Sequence, residues 1–163
     1  MTSNLVLRRM LLTAALSFGL PAAAQQASAP EALVAPIQVR WAEIKYQQPA
    51  KEQAQLYRSL AEQARQVSEN HPNEAAVLIW EGIVLSSEAG ARGGLGALSL
   101  AKDAKALLEE SLKLDERALE GSAYTSLATL YAKVPGWPLG FGDKAQAEAL
   151  FKKSLAINPD GID

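Results

Sequence analysis

Residues that could do chemistry are few in this chain. Its single histidine, His71, sits in Asn70-His-Pro-Asn73. That setting ends a helix, because the residue before a proline avoids the helical region. A histidine at a helix end interacts favourably with the helix dipole, so His71 reads as a capping residue, not a base. There is no cysteine, which excludes thiolate nucleophiles, disulfides and cysteine zinc sites. One histidine without cysteine cannot assemble a histidine-based metal site, and no Gly-x-Ser-x-Gly elbow supplies a serine nucleophile. The neighbouring acids Glu109-Glu110 and Asp115-Glu116 point different ways on a helix, so neither couple reads as an acid/base pair. Gly90-Ala-Arg-Gly-Gly-Leu-Gly96 has the glycines of a phosphate loop. It lacks the following Lys-Ser/Thr, however, and comes after a helix where a nucleotide site wants a strand. It reads as a glycine-rich turn between helices. No catalytic, cofactor or metal site is assigned, and the chain is read as a non-enzyme.

The densest cluster of unusual residues is Val134-Pro-Gly-Trp-Pro-Leu-Gly-Phe-Gly-Asp143. Pro135 stops whatever helix precedes it, and the glycines permit tight backbone paths. Asp143 is placed to cap the next helix by accepting from its first free amides. Trp137 and Phe141 are too apolar to be left together in water, so both are expected to fold back over the edge of the adjoining helices. The alternative is an aromatic contact offered to a partner.

The elements around these residues are helical throughout. Lys51–Asn70 carries Leu56, Leu60, Ala64 and Val67 on one helical face. Further helices are expected over Glu74–Ala89, Ala97–Leu114, Ser122–Lys133 and Asp143–Ile157, with a short apolar segment over Ile37–Tyr46. No stretch alternates with the two-residue period of a half-buried strand. Ahead of them, Arg8 and Arg9 precede an apolar run from Met10 to Leu20, followed by Pro21-Ala-Ala-Ala24. A positive start, an apolar run too short to span a bilayer and a small-residue ending describe a secretory signal peptide over 1–24. The arginine pair fits general or twin-arginine export alike. Residues 25–36, rich in Ala, Pro and Gln, are expected to be a linker, leaving 37–163 as the folded domain. With a formal net charge of −2 before the leader is removed, the chain has no basic field for nucleic acid or anionic lipid. A leader with no lipid-attachment cysteine and no second apolar span implies a periplasmic or secreted protein, not stably inserted in a membrane.

Within the domain the sequence echoes itself. Ala104-Lys-Ala-Leu-Leu-Glu-Glu-Ser-Leu-Lys-Leu-Asp115 aligns without a gap on Ala147-Glu-Ala-Leu-Phe-Lys-Lys-Ser-Leu-Ala-Ile-Asn158, at an offset of 43 residues. Each follows another helix, so a helix pair recurs, and pairs of that kind hide their apolar faces against their neighbours. The second unit reads Tyr124-x-x-Leu127-Ala128-x-x-Tyr131, then Ala147-x-x-x-Phe151, then Pro159. The first reads Leu78-x-x-Glu81-Gly82-x-x-Leu85, then Ala104-x-x-x-Leu108, with Glu116 where a proline belongs. These residues resemble the tetratricopeptide repeat, well over 73–163 and loosely over 37–72, with units at about 73–116 and 117–159. Gly82 within a helix costs about 1 kcal/mol relative to alanine, which is sensible where another backbone comes close. Both units carry insertions between their two helices, here expected as long inter-helix loops.

The resemblance implies an all-α fold of stacked antiparallel helix pairs, an α-solenoid, with a groove that takes a protein or peptide. Groove-facing candidates by similarity are Ala76, Ile79, Ile83 and Ser86, then Ser122, Thr125, Thr129 and Ala132. Trp137 and Phe141 are further partner-binding candidates. The expected function is an exported scaffold for protein–protein interaction. A second implication is an accessory subunit of a periplasmic solute importer, since the T-component of tripartite ATP-independent periplasmic transporters is similar. Stacked repeats need a covered end, so the expectation is that the sequence is truncated or that its last helix pairs with another chain, a homo-oligomer being one form of that.

Overall fold

A computed structural model describes residues 29–161, with the Leu95 side chain left out. The expected signal peptide and residues 25–28 of the expected linker lie outside the described residues. Among the described residues the protein is all-helical: α1 (Ala29–Gln47), α2 (Ala50–Asn70), α3 (Ala75–Arg92), α4 (Gly94–Leu114), α5 (Ser122–Lys133) and α6 (Lys144–Ile157), with one short 3₁₀ turn at Ala118–Gly121.

The expected linker is corrected from Ala29 onward, because 29–36 are the opening turns of α1. Pro30 is tolerated there because the first turn's N–H groups have no helical partner. Val34 and Ile37 are buried, so tertiary packing draws this stretch into the helix despite Pro36 in its interior. α2 forms as its stripe dictates, burying Leu60 and Ala64 with Leu56 and Val67 packed alongside. It ends at His71, whose N–H donates to the carbonyls of Val67 and Ser68.

A second correction concerns 90–96. Only Gly93 and Gly94 make the turn, both with positive φ, 64° and 67°, which non-glycine residues rarely adopt. Gly90 lies within α3 and Gly96 within α4. The insertion of the first unit is therefore spent as extra helix, not as a loop, since the good helix formers between those glycines keep the ladder running. In the second unit the loop is real. Gly142 N–H donates to the Pro135 carbonyl at 2.9 Å and Asp143 N–H to the Tyr131 carbonyl at 2.9 Å. A side chain at Gly142 would run into the Val134 carbonyl. Asp143 accepts from the amides of Ala145 and Gln146, the expected cap.

Contacts between elements run locally. α1 touches α2 and α3, α2 touches α3, α3 touches α4 and α5, α4 touches α5, and α5 touches α6. No contact joins α1 or α2 to α5 or α6 among the described residues. α3 is the central helix, and it is buried round most of its circumference, as a helix with neighbours on several sides must be. Along its seam with α2, Glu88 faces Arg58 at 3.5 Å and Glu81 faces Arg65 at 3.8 Å. As one helix ascends the other descends, so the two are antiparallel.

Candidate functional site

The acids most withdrawn from water are Glu81 and Glu88, 5% and 3% exposed. Two buried carboxylates invite comparison with a general acid and base. They stand seven residues apart on one helix, however, or about 10 Å by the helical rise. Each has its own partners. The Ser68 hydroxyl donates to Glu81 at 2.5 Å, while Arg58 and Arg92 lie 3.5 and 3.9 Å from Glu88. The arrangement clamps α2 on α3. His71 caps the end of α2, three residues beyond Ser68, and no cluster of three or more His, Cys, Asp or Glu side chains gathers among the described residues.

The groove candidates divide. Ala76 and Ile79 belong to the core, Ile79 with no exposure at all, so neither can meet a partner in this conformation. The sequence placed them on one face of α3 but did not show that neighbouring helices cover that face. Ile83 and Ser86 are half-buried, and the Ser86 hydroxyl donates to the Gly82 carbonyl at 2.8 Å. Thr129 is half-buried and Ala132 exposed. Thr125 and Ser122 turn towards the far end of the molecule, where Thr125 Oγ1 lies 2.6 Å from Ser154 Oγ and both line a hollow.

Trp137 and Phe141 also part company, correcting the expectation that both fold back. Phe141 stacks edge-on against Tyr131 at 5.5 Å, with the Lys105 ammonium 5.7 and 5.9 Å from the two ring centroids. Burial lowers the Lys105 pKa, but the hydrogen bond and charge of Glu109, helped by Tyr131, outweigh it and hold the pKa above the ordinary lysine value. Trp137 stays 90% exposed on the loop tip with Leu139 beside it at 73%. The loop closes on its own backbone hydrogen bonds before Trp137 can reach the helices.

Two features escaped sequence reasoning. Trp41 of α1 packs edge-on against Trp80 of α3 at 6.0 Å and against Tyr46 at 6.2 Å, and its indole N–H donates to Ser87 Oγ at 2.8 Å. The second is the hollow of about 480 Å³ at the α5–α6 end, lined by Leu119, Thr125, Phe151 and Leu155 among others. Both are assembled from separate elements, so spacing within one segment carries no signal for them. Tyr124 is a case between. Its phenol donates to Glu116 at 2.9 Å, and Glu116 is the residue standing where the repeat pattern has proline. Burial first, then that carboxylate, pushes the Tyr124 pKa up.

No helix among the described residues is long and apolar enough to cross a membrane. No protein-family model matches the chain, and no curated protein matches it.

Proposed function

We propose that this protein is an exported scaffold of stacked, tetratricopeptide-like helix pairs that binds a protein or peptide along the side where α1, α3 and α5 adjoin. The observation that carries the reading is the run of contacts. α3 packs on α1 and α2, α5 packs on α3 and α4, and nothing closes the first pair onto the last among the described residues. That is how a one-dimensional array of pairs is put together. The close approach of α4 to Gly82 supports the same reading. On the proposed binding side Ile83, Ser86 and Thr129 remain partly accessible, and Trp41 and Trp80 add flat aromatic surface of the kind that anchors interfaces.

A photoreactive residue placed at Ile83 or Thr129 tests the groove. Both positions should capture the same polypeptide in the periplasm, a probe at Lys102 should not, and Ile83→Glu should abolish capture at Thr129. Capture indifferent to Ile83→Glu would sink the groove. Export is tested separately by sequencing the mature N-terminus, which should begin at Gln25.

A further inference from the structure

Helix α1 is apolar on two opposite faces. Val34, Ile37 and Ile44 form the buried one. On the other side Ala32, Ala35, Val39 and Tyr46 follow one another at steps of three, four and seven residues, one outward stripe. It is uncovered, with Val39 61% and Tyr46 75% exposed. At the far end of the molecule α6 leaves Phe151 38% and Leu155 54% exposed, beside the hollow that also touches Leu119 and Thr125.

The chain itself shows how such a face is covered. Phe151 and Ser154 are the repeat counterparts of Leu108 and Ser111 on α4, and those two have no exposure at all. Leu108 is closed on one side by α3 at Gly82, and α5 packs on the same helix. Likewise α3 packs on α2. At each internal junction the first helix of a pair seats on the second helix of the pair before it. Among the described residues α1 is a first helix with no pair before it, and α6 a second helix with none after it. The two open faces are the two halves of one junction.

We propose that α1 of one copy seats on the α5–α6 end of another, so that the stack continues head to tail between copies. Ala32 and Ala35 let the helices come close, and Val39 and Tyr46 supply side chains for the hollow between Leu119 and Phe151. The contact joins two different surfaces, so it grows by addition into rings or open chains. The inference rests on the stacked-pair reading but not on the groove, and its test does not involve a groove ligand.

Sedimentation of the full chain should show mass rising with concentration from one copy to two and more. Val39→Glu with Tyr46→Glu should hold the protein at one copy, as should Phe151→Glu with Leu155→Glu, both with unchanged helical circular dichroism. Mixing the two variants should restore a one-to-one pair, because the sound α1 of one meets the sound α6 of the other. A second measurement does not depend on those variants folding. The chain has no cysteine, so Val39→Cys with Phe151→Cys should give an oxidised ladder of linked copies, while Val39→Cys alone should not. A single copy at every concentration, association untouched by either pair of changes, or a mixture that fails to pair would each overturn the proposal.

Discussion

Gly82 faces Leu108 so closely that a methyl group added at Gly82 would lie 2.8 Å from Leu108 Cγ and 3.3 Å from the Ala104 carbonyl oxygen. The contact joins α3 to α4 at the point where the repeat pattern puts a small residue. It gives the first prediction a definite sign. On propensity alone Gly82→Ala would stabilise α3 by about 1 kcal/mol. Here Leu108 is fully buried and has nowhere to retreat, and overpacking a filled core costs about 1–3 kcal/mol. The expected outcome is a net loss of up to about 2 kcal/mol in a urea titration. A gain would mean that the two helices separate easily.

The clamp between α2 and α3 predicts an asymmetry. Removing both arginines near Glu88, by Arg58→Met with Arg92→Met, leaves a buried carboxylate without a cation. Because both arginines are nearly half exposed, the cost is discounted to about 2 kcal/mol. Glu88→Met removes the buried charge instead and should cost less than about 1 kcal/mol. Equal losses from the two changes would count against an electrostatic clamp.

Alkaline pH should loosen the fold through two phenols. Burial, and then the nearby Tyr46, raises the Tyr57 pKa, while burial and Glu116 raise that of Tyr124. A group whose pKa is raised on folding contributes stability that is complete below its unfolded value, about 10 for tyrosine, and is lost as pH climbs through the folded value. Melting temperature should therefore fall above about pH 10. Tyr57→Phe should flatten that fall. The Tyr57 hydroxyl is also buried without a hydrogen-bond partner, so at neutral pH the same change should raise stability by up to about 1 kcal/mol. A neutral-pH loss of several kcal/mol would show that the hydroxyl is satisfied.

The loop aromatics should behave differently from each other. Phe141→Ala removes the Tyr131 stacking partner and a neighbour of Lys105, and should cost about 1–2 kcal/mol. Trp137→Ala should leave thermal stability within about 0.5 kcal/mol. If Trp137 is a partner contact, the same variant weakens capture of that partner while folding normally. A destabilised Trp137→Ala protein would refute the exposed placement of the ring.

Much of the local structure was legible. The stripe Leu56, Leu60, Ala64 and Val67 fixes α2 almost to the residue, Pro135 ends α5, and the aspartate before Lys144 caps α6, because each of these effects acts within a turn or two of backbone. The opening of α1 was not legible. Ala, Pro and Gln give it a linker's composition, and only the burial of Val34 and Ile37 makes it helix. Gly90 and Gly96 misled in the opposite direction, since a glycine marks a break only where the backbone needs positive φ, and here only Gly93 and Gly94 do.

Sequence by itself therefore determined the helical class and the cores of α2 to α6, where two helices meet at small residues, and that no assembly of histidine and cysteine is possible. Periodicity reports which side chains share a face, because that depends on the helix alone. What covers a face depends on residues far away in the chain. Only the tertiary structure decided that Ile79 is core, that Phe141 is sheltered while Trp137 is not, and that α1 and α6 each leave an apolar face uncovered.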